Sequence, residues 1–216
     1  MNTNQRNNPV QSIPIMLAST SPRRISLLEL IQITAQVYAP DTDEKMKRGE
    51  TPSQLVQRLA EEKAEAVVSK AIKNYETSFI LAADTVVVEP KGNKVLGKPK
   101  DEKDARKMLR TLSGKKHTVL TGYCILLVKR GSHVKKCVRV VQSKVKIRDL
   151  TSEMIARYVA SGEPKDKAGA YGAQGLGTAL IESIQGSYTN VVGFPLTQIF
   201  QDMEDIFDVP LFSWLK

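Results

Sequence analysis

The stretch FILAADTVVVE, Phe79 to Glu89, constrains the fold more than any other part of the chain. It is apolar almost throughout and reads as a buried strand, which calls for a sheet with helices packed outside it. Asp84 and Thr85 interrupt the run. An ionisable group inside a buried strand has to be partnered or used, because burying a lone charge is costly.

The segments around it alternate in character. Ile15 to Ala18 reads as a short buried strand, and Ser19-Thr20-Ser21-Pro22 then supplies a serine N-cap and a proline at the first helical position. The spacing of Ile25, Leu28 and Ile31 continues that helix to about Ile31 and puts Arg23 and Arg24 in its first turn, a phosphate-friendly position. Thr51-Pro52 with Gln54 forms a capping box, followed by a stripe of Leu55, Val56, Leu59, Ala60 and Ala64, with Lys63 toward its border. Lys94 to Leu96 reads as a short hairpin arm, and Asp101 caps a helix that carries Ala105, Met108, Leu109 and Leu112 inward and ends at Gly114. Thr118 to Val128 and Lys135 to Arg148 read as long antiparallel strands, and Ser152 to Ala160 as a helix. A loop from Gly162 to Gly177, a strand near Ala179 to Ile184 and a helix from Pro195 complete the pattern. The expected architecture is α/β, one mixed sheet with helices outside, and no linker separates independent domains.

Composition narrows the function classes. The chain has 216 residues, with 41% hydrophobic and 25% charged, which suits a single domain or two intimately packed lobes. The polar, Asn-rich opening over 1–14 is expected to be a frayed tail, with one domain over 15–216. Neither a signal peptide nor a membrane span is legible, so the expected location is cytoplasmic. Cys124 and Cys137 match neither a redox pair nor a zinc site and are expected to be inert core thiols. The net charge of +9 suits a polyanion, either nucleic acid, an acidic membrane surface or a small phosphorylated substrate.

Two glycine-rich matches fail on their own geometry. GNKVLGK (Gly92 to Lys98) continues into Pro99 where a phosphate-binding loop needs Ser or Thr, and GAQGLG (Gly172 to Gly177) has its glycines out of order and follows no strand. His117 and His133 are the only histidines, so a metal here would take oxygen ligands, as magnesium or manganese does. His117 is expected to be a polar residue at a strand entrance rather than part of a catalytic triad.

Set in order, the blocks LASTSPRR, AADTVVV, LGKP, LSGKKHTVLTG, GEPKDKAGAYGAQG and GSYTNVVGFPL closely resemble the Maf family of nucleotide pyrophosphatases, over roughly Ile15 to Leu196. That resemblance implies a fold like that of inosine triphosphate pyrophosphatases, with a long mixed sheet, flanking helices and a nucleotide cleft between two lobes. It implies attack of water on the α-phosphorus of a nucleoside triphosphate, aided by a divalent cation: magnesium, manganese or cobalt.

By the same resemblance Asp84 is the proton acceptor or a metal ligand, and Glu44 a second metal ligand. A carboxylate among Ala82, Ala83, Val86 and Val87 would be partly desolvated, which favours the basic role. Ser19, Arg23, Arg24, Lys63 and Lys98 match phosphate-handling positions, and Asp166 and Lys167 match a later polar loop. Arg23, Thr85 and Gln174 together resemble the subgroup acting on dTTP and UTP, and a glutamine amide can pair with the edge of uracil or thymine. A homodimer is the expected assembly and a small nucleotide the expected partner, with modified pyrimidine nucleotides also admitted. The competing reading is a non-catalytic regulator binding nucleotide or nucleic acid. Against it stand an aromatic content of 6% and the lack of any recognisable nucleic-acid-binding motif.

Overall fold

The computed structural model describes residues 13–92, 94–130 and 132–215. Most of the tail expected over 1–14 therefore lies outside the described residues. Seven strands form one mixed sheet: β1 (Ile15–Leu17), β2 (Gln36–Val37), β3 (Thr77–Val88), β4 (Val95–Leu96), β5 (Lys116–Lys129), β6 (Ser132–Ile147) and β7 (Ile181–Gln185). Their order is β2-β1-β3-β5-β6-β7, with β4 paired to β3. β1 runs parallel to β2 and β3, and the remaining pairs are antiparallel. The helices are α1 (Pro22–Leu30), α2 (Pro52–Glu65), α3 (Val68–Asn74), α4 (Glu102–Leu112), α5 (Ser152–Ala160), α6 (Tyr188–Val192) and α7 (Leu196–Phe207). This is the α/β architecture expected.

β3 is buried on both faces because its two alternating sets of side chains meet different layers. Ile80 and Ala82 pack with Ala60 and Ala64 of α2, and Val86 and Val88 with its Leu55 and Leu59. Phe79, Leu81 and Ala83 point the other way, onto Leu27 and Leu28 of α1 and Phe200 and Met203 of α7. Val87, further along that second face, joins Leu109 and Leu112 of α4 and Ile155 of α5. The strand is thus sandwiched, as a run without polar alternation requires.

Helix starts follow local chemistry. Thr51 Oγ1 accepts the Gln54 N–H at 3.3 Å while Gln54 Oε1 accepts the Thr51 N–H at 2.9 Å, the reciprocal box read from the sequence, and such a cap contributes about 1 kcal/mol. Asp101 caps α4 through the Asp104 N–H at 2.7 Å. At α1, by contrast, Ser21 makes no side-chain cap bond. Its N–H instead reaches Ser19 Oγ at 3.2 Å.

Several elements lie outside the sequence expectation. β2 has two residues and α6 five, too short for any period to register, and α3 follows α2 after a turn that neither Gly nor Pro marks. The glycine-rich loop contains 3₁₀ turns at Glu163–Asp166, Ala168–Ala170 and Gly175–Leu180. Both cysteines are buried free thiols, and burial pushes Cys124 up to about 12, as suits inert core positions.

Candidate active site

A gap in the sheet opens the site. β1 pairs with β3 through Leu81 and β4 rejoins it at Val87, so neither pairs with residues 82–86 on that edge. The chain leaving β1 turns into α1 beside this gap, and a cleft of about 650 Å³ opens there. Ser19, Arg23, Arg24, Glu44, Lys63, Asp84, Thr85, Lys98, Asp166 and Lys167 all line it. Gln174 alone among the expected residues lies outside the lining, half-buried next to Ala173, which does line it.

Asp84 sits at the back of this gap, 8% exposed. Its cross-strand neighbour on β5 is Gly122, and a Cβ there would stand 2.1 Å from the Val56 carbonyl oxygen. The absent side chain lets the α2 backbone lie directly on the sheet, and α2 then delivers Lys63. Lys63 is 6% exposed and its Nζ donates to Asp84 Oδ1 at 2.7 Å and to Glu44 Oε1 at 2.5 Å. Lys63 therefore belongs to the interior of the site, although helical periodicity put it only near the edge of the apolar stripe.

Glu44 comes from an irregular segment between β2 and α2. Arg58 of α2 ties that segment down, donating to both carboxylate oxygens of Glu50 at 2.7 and 2.9 Å and to the Lys45 carbonyl at 3.0 Å. Burial works to raise the Glu44 pKa, but the hydrogen bond and charge of Lys63, with Lys98 and Arg24 nearby, hold it below the ordinary carboxylate value.

The two arginines of the α1 first turn differ in use. All three nitrogens of Arg24 are engaged, Nε with the Gly193 carbonyl at 2.8 Å, Nη1 with Ser19 Oγ at 3.0 Å and Nη2 with Thr85 Oγ1 at 3.3 Å. Thr85 Oγ1 also lies 3.0 Å from Thr121 Oγ1, so Thr85 helps to hold Arg24 in place. Desolvation lowers the Arg24 pKa, with the Asp84 charge opposing it. Arg23 instead spans to Asp166, Nη1 to Oδ2 at 2.8 Å, and that carboxylate side chain is 58% exposed. A polyanion can exchange for such a partner at little cost.

Lys98 follows β4, and the Gly169 N–H to Gly97 carbonyl bond at 3.1 Å ties its turn to the 3₁₀ segment next to Lys167. Lys167 Nζ donates to Asp166 Oδ1 and to the Glu163 carbonyl, both at 2.7 Å. Five cationic and three anionic side chains thus line the cleft, beside a wall that includes Val87, Tyr171, Ala173 and Val191. An elongated polyanion with a flat apolar head matches this division.

Among the described residues no cluster of three or more His, Cys, Asp and Glu could hold a metal. Glu44 and Asp84 nevertheless converge, one oxygen of each accepting from Lys63 Nζ, which brings two carboxylates to one corner of the cleft. That suits a hard cation that completes its shell from water and substrate phosphate. Sequence reasoning did not single out Glu163, Thr121 or Asn190. Thr121 Oγ1 donates to the Asn190 carbonyl at 3.0 Å, which fixes the segment leading to Gly193 and so the floor under Arg24. No residue-type pattern announces such contacts.

The family described as Maf-like protein matches residues 14–206. The dTTP/UTP pyrophosphatase of Syntrophus aciditrophicus strain SB is 41% identical over 192 residues, 89% of each chain. That of Geobacillus sp. strain WCH70 is 45% identical over 190 residues, 88% of this chain and 96% of its own. That of Shewanella sp. strain MR-7 is 46% identical over 189 residues, 85% and 93% respectively. Among solved structures, the Ham1 protein of Staphylococcus aureus aligns over 89% of this chain and 90% of its own at 15% identity and a TM-score of 0.43.

Proposed function

The chain belongs to the Maf-like protein family, and on that premise we propose that it hydrolyses nucleoside triphosphates, dTTP and UTP by preference, to the monophosphate and pyrophosphate. The observation that carries this reading is a nearly buried Asp84 facing a cleft whose other charged groups are mainly cationic. Water attacks the α-phosphorus, its proton passes to an Asp84 carboxylate oxygen, and the bond from the α-phosphorus to the bridging oxygen breaks, releasing pyrophosphate. Arg23, Lys63, Lys98 and Lys167 hold the triphosphate oxygens, with Ser19 as a hydrogen-bonding group at the start of α1. Arg24 adds fixed positive charge from behind.

Glu44 and Asp84 would hold a divalent cation, magnesium, manganese or cobalt, which neutralises phosphate charge when bound. Gln174, next to the lining residue Ala173, is assigned to reading the pyrimidine edge, with Arg23 and Thr85 completing the dTTP/UTP selection. We further infer a cytoplasmic setting, a homodimer and a single domain over 15–216. In the described residues no helix is long and apolar enough to cross a membrane.

Hydrolysis in ¹⁸O-water tests the point of attack. Label in the monophosphate is the expected result, and label in pyrophosphate or in released orthophosphate would contradict it.

A further inference from the structure

The segment GAQGLG, which resembles a dinucleotide fingerprint without being one, has a different physical basis. Its backbone is organised by one carboxylate. Glu163 Oε2 accepts the Leu176 N–H at 2.8 Å, and Oε1 accepts the Gly177 N–H at 2.9 Å and the Tyr158 hydroxyl at 2.9 Å. Tyr158 Oη in turn accepts the Gly172 N–H at 3.2 Å. Both ends of the stretch containing Ala173 and Gln174 are therefore fastened to the Glu163–Tyr158 pair.

The glycines follow from that closeness. A Cβ on Gly175, which sits at φ +72°, would meet Glu163 Oε2 at 2.7 Å, and one on Gly177 would meet the Gly172 carbonyl oxygen at 2.4 Å and Tyr158 Oη at 2.6 Å. The carboxylate is held ionised: burial works to raise its pKa, but the N–H groups of Gly177 and Leu176, with Tyr158 and Lys167, bring it below the ordinary value. Glu163 also heads the 3₁₀ turn bearing Asp166, and its own carbonyl accepts Lys167 Nζ at 2.7 Å. One residue thus joins the phosphate-handling turn to the loop beside the apolar wall.

We propose that Glu163 is a positioning residue for base selection, fixing the Gly172–Gly177 loop relative to the Asp166–Lys167 turn so that a pyrimidine is read at a set distance from its phosphates. The proposal rests on the pyrophosphatase reading. Its chemistry favours a carboxylate, because donors approach both oxygens, the Leu176 N–H on Oε2 and the Gly177 N–H and Tyr158 hydroxyl on Oε1, and an amide would turn an NH₂ donor toward one of these sets.

The test uses the full chain with Glu163→Gln, and with Tyr158→Phe as a milder second variant that keeps the ring. Amide exchange at Leu176 and Gly177 is expected to quicken by about tenfold or more in Glu163→Gln. For dTTP, KM is expected to rise between about tenfold and about a hundredfold with a much smaller change in kcat, and the dTTP over GTP preference to fall. Tyr158→Phe should shift both in the same direction by less. Unchanged exchange, or faster exchange with wild-type KM and preference, would overturn the proposal, since a merely structural anchor moves stability alone. Should the wild-type chain turn over no nucleotide, the hydrolytic reading falls by itself. The affinities of wild type and Glu163→Gln for dTTP in EDTA then decide the role of Glu163, weakened binding supporting it and equal binding overturning it.

Discussion

Lys63 Nζ lies 2.7 Å from Asp84 Oδ1, and both side chains are almost out of solvent. The pair joins a helix to the middle of a sandwiched strand, within the gap that β1 and β4 leave along its edge. Removing the ammonium strands a buried carboxylate beside Glu44. Lys63→Met is therefore expected to lower the unfolding free energy by about 3 kcal/mol and pyrophosphate release by about a hundredfold or more. Urea denaturation and a turnover assay check the two halves separately.

Gly122 is the sheet-side condition for that contact. Gly122→Ala places a methyl inside the Val56 carbonyl, and backbone cannot swing aside as a side-chain tip can. The expected loss is about 3 kcal/mol, at the upper end of overpacking penalties. Activity should fall with it in whatever folds, because α2 must lift away from Asp84. A melting curve with wild-type midpoint would contradict this.

His117 gives a pH signature. Its ring is buried with Nε2 2.7 Å from Tyr171 Oη, and desolvation pushes its pKa from 6.5 down to about 4. Between those values the unfolded chain binds more protons than the folded one, so stability rises with pH through the window and is lost as pH falls below 6.5. His117→Gln keeps a polar partner for Tyr171 and removes the titration. The slope of urea midpoint against pH should flatten over that window in the variant.

Asp166 shifts in the same direction as His117, but through its charged partners rather than through burial. Burial works to raise its pKa, but the Lys167 and Arg23 hydrogen bonds and charges hold it at about 2, against an ordinary 3.8. A depressed carboxyl contributes fully above its ordinary value and loses that contribution as pH falls through about 2. The Arg23–Asp166 bridge is therefore intact at any practical assay pH. Being exposed, it contributes less than about 1 kcal/mol. Asp166→Asn should leave the position of the acid limb of the activity profile unchanged, and a shifted limb would show that Asp166 titrates in turnover.

Much of this was legible in the sequence for identifiable reasons. The capping box of Thr51 and Gln54, the Asp101 cap and the apolar run of β3 are local chemistry, and each appears where it was read. Asp84 announced itself as a charge in a buried strand, and the resemblance to the Maf family named ten of the eventual lining residues, eight of them inside the ordered blocks and Glu44 and Lys63 outside them. What stayed hidden depends on contacts between segments remote in sequence. Helical spacing could orient Lys63 but not reveal that Gly122 admits α2 so close to the sheet. Two adjacent arginines look alike in sequence, yet Arg24 is bonded at three nitrogens and Arg23 faces an exchangeable partner. Glu163 escaped because its partners are two backbone N–H groups and the hydroxyl of Tyr158, and the glycine spacing after GEP is the only trace the backbone contacts leave in the sequence.

The most direct test of the account is pyrophosphate release from dTTP, UTP, CTP and GTP, with magnesium or manganese, by the intact chain and by Asp84→Asn. Conversion of dTTP and UTP to their monophosphates ahead of the other two, reduced by about a thousandfold in the variant, is the expected result. No pyrophosphate from any of the four, or an Asp84→Asn chain that still turns over at the wild-type rate, would contradict it.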